Sequence, residues 1–318
     1  MSIQDTPTLM TGLFAVVQAI FLLLLTPLFT GISRQIRAKM HSRQGPGIMQ
    51  DYRDITKLLK RQSVAPRDSG FIFRVMPYVL LSSMLLLAMA MALPVVTTTS
   101  LFSGAGDLII ILYIFALFRF FFSLSGLDTG SPFAGIGASR ELTLGVLVEP
   151  ILFLGLLVVA LIAGSTNIGS ISAVMSQGWV SPTATFLAML ACGFATFIEM
   201  GKIPFDVAEA EQELQEGPLT EYSGSGLALV KWGIGLKQVV VAVLFLSIFF
   251  PFGSASVLTA GSLLLALGLM LVKLLVIFVL ASLVENSLAR GRFLLTHHVT
   301  WLGFGVAALG FVFYLTGL

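Results

Sequence analysis

Cysteine occurs once in 318 residues, at Cys192, and charged side chains make up only 11% of the chain. A single thiol excludes an internal disulfide and an iron–sulfur cluster held by this chain alone, since such clusters need several thiolates. Set between Ala191 and Gly193 in an apolar run, Cys192 reads as a small packing residue. So low a charge content excludes an ordinary soluble domain, in which roughly a quarter of residues are charged. Gly-rich phosphate loops, HExxH and paired Cys/His spacings are all missing, which leaves no metal or nucleotide motif. A net charge of +2 gives no footprint for nucleic acid. Repeats, low-complexity tracts and long linkers are missing too, so residues 1–318 read as a single polytopic membrane domain.

What the chain has is apolar length. Hydrophobic residues reach 57% and mean hydropathy is +0.98. Eight stretches, 9–32, 75–96, 108–127, 142–163, 183–199, 234–252, 257–284 and 299–317, approach or exceed the ~20 residues that cross ~30 Å of hydrocarbon. Backbone groups in lipid must pair within their own segment, so these are helices. The fifth is shortest and runs into Glu199, which points to an end inside protein rather than lipid. The first is not a signal peptide, because only Asp5 precedes it and its bases follow it. Segments 33–74, 128–141, 200–231 and 285–298 hold nearly every charge, whereas 97–107, 164–182 and 252–256 hold only Asp107. Lys and Arg favour the cytoplasmic side. The expected architecture is all-α and integral to the membrane: eight transmembrane helices with both termini outside, a cytoplasmic amphipathic helix and an acidic cytoplasmic loop.

That loop is the densest chemistry in the sequence. Residues 199–222 read EMGKIPFDVAEAEQELQEGPLTEY and carry Glu199, Asp206, Glu209, Glu211, Glu213, Glu216 and Glu221 against one base, Lys202. Crowded carboxylates repel and are penalised by desolvation, so stability alone does not explain them, and such surroundings let acids hold protons near neutral pH. A helix over about 206–216 would gather Asp206, Glu209, Glu213 and Glu216 into one arc. In the first charged segment, Gln44-Gly45-Pro46-Gly47 marks a turn, and 49–62 then has helical period. Met49, Tyr52, Ile55 and Leu59 share one face of it, as in a helix lying on the membrane surface. The second segment, GLDTGSPFAGIGASRE, has too many glycines to be helical throughout. Its Gly135 and Gly137 allow another backbone to approach, and Arg140 and Glu141 open the fourth helix.

Charges also fall inside the spans. Arg119 and Glu149 lie deep in helices three and four, Lys237 near the start of helix six and Lys273 near the middle of helix seven. Intramembrane charges usually face a bundle interior and mark ion or proton paths. Lys237 is placed where it could snorkel to the surface. Glu149 and Glu199 are expected to be buried relay sites rather than fixed ion-pair partners. Lys273 needs a partner from another helix or another subunit.

The run Glu199-Met200-Gly201-Lys202-Ile203-Pro204-Phe205-Asp206, its alternating Glu209, Glu211 and Glu213, and the closing Glu221-Tyr222-Ser223-Gly224 resemble the signature of respiratory complex I subunit 1. Gly45-Pro46 and the pair Arg140 and Glu149 match as well, and the likeness covers essentially the whole chain. Departures set the branch: Met200-Gly201 stands where a Thr-Asn pair is usual, and Glu285 to Arg292 keeps Arg290 and Arg292 without the proline. GLDTGSPFAGIGASRE and EAEQELQEGPLTEYSGSG are similar to the membrane subunit of formate hydrogenlyase and hydrogenase-four complexes. That resemblance implies a non-catalytic anchor and coupling subunit in a bacterial inner membrane, with no cofactor bound by this chain. The [NiFe] centre and iron–sulfur clusters would sit in partners: hydrogenase large and small subunits, a ferredoxin-like iron–sulfur subunit and antiporter-like membrane subunits, with phospholipid around them. Carried over by position, the proton relay is Glu149, Glu199, Asp206, Glu209, Glu211 and Glu213, with Glu141 and Lys273 added. The docking set is Gly45, Pro46, Gly135, Gly137, Arg140, Arg290 and Arg292. A quinone-site subunit of an NADH:quinone oxidoreductase and a stand-alone proton or cation transporter remain the alternatives.

Overall fold

The computed structural model describes residues 9–91, 106–253, 260–289 and 296–317. Among them the chain is all-helical, with no strand and a lone backbone bridge between Asp107 and Asn167. Eight helices are long and apolar enough to cross a membrane. They are α1 (Leu9–Met40), α3 (Phe71–Ala90), α4 (Leu108–Asp128), α5 (Pro132–Ala163), α7 (Pro182–Glu199), α9 (Gly224–Phe249), α10 (Ala260–Ser287) and α11 (Thr296–Thr316). The short helices α2 (Gln50–Leu59), α6 (Ile168–Ser176) and α8 (Glu211–Leu214) lie between them.

Helix α9 is the axis of the bundle. Of its most apolar window 78% is buried, against 28% for α10 and 22% for α11. It packs on α1, α2, α3, α6 and α7, while α10 leans on α1 at one end and α11 on α5 and α7 at the other. A helix apolar all round belongs inside protein or lipid. The outer faces of α10 and α11, with Leu264, Leu265, Trp301 and Leu302 exposed, are therefore membrane- or partner-facing.

Contacts between the charged segments bring them together on one face. Asp128 accepts from the Phe73 amide at 3.0 Å, and the Tyr222 hydroxyl donates to the Phe73 carbonyl at 2.8 Å. Ser223 exchanges hydrogen bonds with the Val64 backbone, which ties the start of α9 to the segment after α2. The amphipathic helix forms as expected. Met49 and Leu59 stay exposed, while Asp51 turns inward and is held by Thr30 Oγ1 at 2.6 Å and Arg34 Nη1 at 2.7 Å.

Two local expectations are corrected. Helix α5 does not open at Arg140 but at Pro132, in the first turn where a proline's missing N–H costs nothing. The glycines therefore ride inside a helix. Gly137 is buried there because a side chain would meet the Ala208 carbonyl at 2.7 Å and Pro218 Cδ at 2.8 Å, so it admits the acidic loop. The acidic loop itself is not one helix over 206–216. Only Glu211–Leu214 is helical, between a positive φ at Ala210 (24°) and a left-handed run of Gln215 (50°), Glu216 (72°) and Gly217 (55°). Apolar anchors explain the break. Phe205, Val207, Ala208, Leu214 and Leu219 are all buried, and no single helical face could bury them together.

Candidate functional site: a buried ion cluster and two cavities

Four transmembrane helices contribute to an ion cluster centred on one guanidinium. Arg119 of α4 is 4% exposed and donates from Nη2 to Glu199 at 2.6 Å, from Nη1 to Glu149 at 2.6 Å and from Nε to Glu141 at 3.2 Å. Glu141 and Glu149 are two helical turns apart on α5, and Gly145 sits between them. A side chain at Gly145 would meet Arg119 Cδ at 2.5 Å and Nη1 at 2.7 Å. The Glu-x3-Gly-x3-Glu spacing thus frames a planar cation between two carboxylates.

Glu199 is the deepest member. It ends α7, where the helix dipole disfavours a negative charge, and two cations hold it: Arg119 on one oxygen and Lys237 Nζ, from α9, on the other at 2.8 Å. Lys237 also lies 5.3 Å from the Phe118 ring centroid, a cation–π contact. It is buried and does not snorkel; an ion-pair partner inside the bundle outweighs the reach to the surface. Glu149 is also corrected: its side chain is 40% exposed on the outer side of α5, and it is an ion-pair partner, as Glu199 is. Together two cations face three carboxylates, leaving one negative charge in excess among the paired groups.

A small cavity of about 80 Å³ opens from this cluster toward the acidic loop, lined by Glu141, Glu199, Lys237, Asp206, Glu209 and Gln238 among others. At ~30 Å³ per water it suits a short hydrogen-bonded chain of solvent. Gln238 donates to the Met200 carbonyl at 2.8 Å, and its buried Oε1 meets no protein donor among the described residues. Asp206, Glu209 and Gln238 also line a larger cavity of about 510 Å³ bounded by α1, α2, α9 and α10. The two spaces share a wall of carboxylates.

Glu209 sits on that wall. Burial, then the nearby Asp206, Glu216 and Glu141 carboxylates, push its acid up to about 8, with Lys231 opposing them. It is a group able to carry a proton at neutral pH. Glu213 faces outward and pairs with Arg140 at 2.7 Å, so Arg140 is engaged within the chain. The Glu211 side chain lies outside the described residues, as do Arg290 and Arg292. Gly45 and Pro46 lie exposed in the segment between α1 and α2, which is irregular there rather than a turn, and Gly135 faces open space.

Lys273 is placed elsewhere. Its ammonium donates to the Phe250 carbonyl at 2.8 Å and to that of Phe252, capping the far end of α9. Phe250 is about 20 Å along the helix from Lys237, so Lys273 caps a helix and does not join the carboxylates. The residues missed from sequence were Arg119 and Lys237 as cluster members and Gly145 as the space between. The spacing of Glu141, Gly145 and Glu149 puts two carboxylates and a gap on one face of α5, but the cation that fills the gap comes from another helix and only packing reveals it.

Comparison with known proteins identifies the family and the fold. The family model for NADH dehydrogenase matches residues 13–316. Hydrogenase-4 component C of Escherichia coli K12 is 71% identical over 96% of both chains, and formate hydrogenlyase subunit 4 of the same organism is 56% identical over 95% of this chain and 98% of its own length. The NADH-quinone oxidoreductase of Chlorobium luteolum contains a relative that is 31% identical over 67% of this chain and 62% of that one. A chain of the archaeal membrane-bound sulfane sulfur reductase complex shares the fold, with a TM-score of 0.84 at 24% identity over 96% of this chain and all of that one. Eight apolar helices and these relatives make it a multi-pass bacterial membrane protein of multisubunit complexes. The chain belongs to the NADH dehydrogenase subunit 1 family of respiratory complex I, in the branch of the hydrogenase-4 and formate hydrogenlyase membrane subunits.

Proposed function

We propose that this chain is the non-catalytic anchor and coupling subunit of a membrane-bound [NiFe]-hydrogenase complex of formate hydrogenlyase type. It links a cytoplasmic hydrogenase to antiporter-like membrane subunits through a carboxylate relay. The single observation that carries the relay is the small cavity that joins Asp206 and Glu209 to Glu141 and Glu199. A proton taken up beside Glu209 would pass through that space to Glu141 and Glu199. Solvent beside the Arg119 guanidinium, which stays protonated throughout, would then carry it to Glu149. The 40% exposure of that carboxylate leaves it open to receive and release a proton at the outer side of α5. Arg119 and Lys237 hold the acids in place and stabilise each one while it is ionised.

The charged face is the cytoplasmic one in this reading and both termini lie outside, because Lys and Arg collect on the inner side. The exposed Gly45-Pro46 segment, the Gly135 surface, α2 and the acidic loop form the seat for the hydrogenase large and small subunits and a ferredoxin-like subunit. The [NiFe] centre and iron–sulfur clusters belong to those partners. Purification in mild detergent tests the assignment: a [NiFe] large subunit should copurify, and its absence from an intact complex would overturn it.

One observation favours a second reading, the quinone-site subunit. The cavity of about 510 Å³ mixes Trp232, Ile234 and Leu227 with ion pairs and could admit an amphiphile. Stoichiometric quinone in the purified complex would support that reading over the first.

A further inference from the structure

The large cavity has a wall built by a parallel seam between α1 and α10. Phe29 stacks on Phe278 with ring centroids 5.0 Å apart, and one turn on Ser282 donates to Ser33 at 2.7 Å. One further turn on, Arg37 Nη2 contacts Glu285 Oε1. The seam runs from aromatic through hydroxyl to ionic as it approaches the charged face. The other oxygen of Glu285 faces Lys202 Nζ at 3.5 Å, from the loop that follows α7. Glu285 is 5% exposed and Lys202 is largely covered, whereas Arg37 remains half-exposed. Ser33, Arg37, Lys202 and Glu285 all line the cavity.

Two cations from separate elements, converging on a cavity beside transmembrane helices, make the kind of basic pocket that holds an anionic lipid headgroup. Here the anion is supplied by the chain. Two further cations lining the cavity are matched in the same way: Arg34 by Asp51 and Asp54, and Lys231 by Glu216 at 3.9 Å, while Lys57 lies exposed at the rim. An uncompensated buried cation is costly, and a carboxylate in contact removes that cost while leaving no site for a second anion.

We infer that Glu285 is a built-in counter-ion that fills the two-cation pocket between Arg37 and Lys202 and thereby closes that pocket of the large cavity to phosphodiester headgroups. It sets what this pocket admits: an anionic phospholipid headgroup is excluded from it, and neutral molecules and water are not.

The test uses the intact complex in nanodiscs of zwitterionic lipid with added phosphatidylglycerol, followed by delipidation and assay of retained phosphorus. Glu285→Gln keeps the side-chain volume and removes the charge. It should retain about one more phospholipid per chain than the parent, and Glu285→Gln with Lys202→Met should lose that gain. A parallel arm replaces the lipid by inorganic phosphate. Equal gain from phosphate alone would show that the pocket takes any small anion and would overturn the lipid assignment. An assembled Glu285→Gln complex with no gain in phospholipid would overturn the proposal outright. Where the glutamine variant does not accumulate, Glu285→Asp withdraws the carboxylate by one methylene. An intermediate gain is expected from it, and no gain contradicts the proposal.

Discussion

The guanidinium of Arg119 occupies the space that a side chain at residue 145 would need: a Cβ built on Gly145 falls 2.5 Å from Arg119 Cδ. Two helices thus share one volume, and the carboxylates one turn above and below on α5 reach the cation because nothing stands between. Gly145→Ala should displace Arg119 and lengthen its bonds to Glu141 and Glu149. Overpacking of this kind costs about 1–3 kcal/mol. Thermal unfolding of the purified complex measures it, and an unchanged midpoint would mean that the cluster tolerates the methyl group.

Removing the cation itself should be worse. Arg119→Met leaves Glu141, Glu149 and Glu199 facing Lys237 alone, and breaking a buried pair from one side costs about 3–5 kcal/mol. Combining it with Glu199→Gln should recover part of the loss, because the second change removes the carboxylate that the first left without its partner. Strict additivity of the two in assembly yield or unfolding midpoint would show that the residues do not act as one unit.

Glu209 gives the site a pH dependence of known sign. Its acid stands at about 8 in the folded chain against an ordinary 4.5, so folding favours the protonated form. The stability this contributes is complete below about 4.5 and is lost as pH rises through about 8. Hydrogen exchange over residues 200–222, corrected for intrinsic rates, should therefore show the loop opening more readily above pH 8. Glu209→Gln should flatten that profile. A profile that keeps its inflection in the variant would place the titration on another group.

Lys273 separates a structural from a functional lysine. With its ammonium on the Phe250 and Phe252 carbonyls, Lys273→Met should loosen the junction of α9 and α10 and cost about 1–3 kcal/mol for the orphaned acceptors. Proton movement by the assembled complex should persist. Loss of proton movement with an unchanged unfolding midpoint would return Lys273 to the relay.

The membrane spans were legible because hydropathy is a local property. Stretch 183–199 reappears almost unchanged as Pro182–Glu199. Where local chemistry misled, it did so for identifiable reasons. Helix α9 begins ten residues before the apolar stretch at 234, because Lys231 lowers the hydropathy of its first turns, where it faces Glu216 at 3.9 Å. The acidic loop has helical periodicity in its carboxylates. Its backbone instead follows its buried apolar anchors, which turn Glu209 toward the cavities and Glu213 outward to Arg140. Glu149 and Glu199 could be singled out as membrane carboxylates. That both bind Arg119 could not be read from sequence, because the three come from different helices and only packing brings them together.

In the proposed relay Glu149 passes a proton from the cluster to the neighbouring membrane protein, and one measurement bears on that step most directly. Glu149→Gln keeps the volume and a hydrogen bond to Arg119 but cannot titrate. The variant complex, reconstituted in sealed vesicles, should assemble and evolve hydrogen from an artificial donor at the parental rate. Hydrogen-linked proton movement, read by a pH-sensitive dye in the vesicle lumen, should fall at least about tenfold, a barrier of ~1.4 kcal/mol or more. Proton movement at the parental rate in an assembled complex would contradict the relay, and failure to assemble would make Glu149 a structural partner of Arg119.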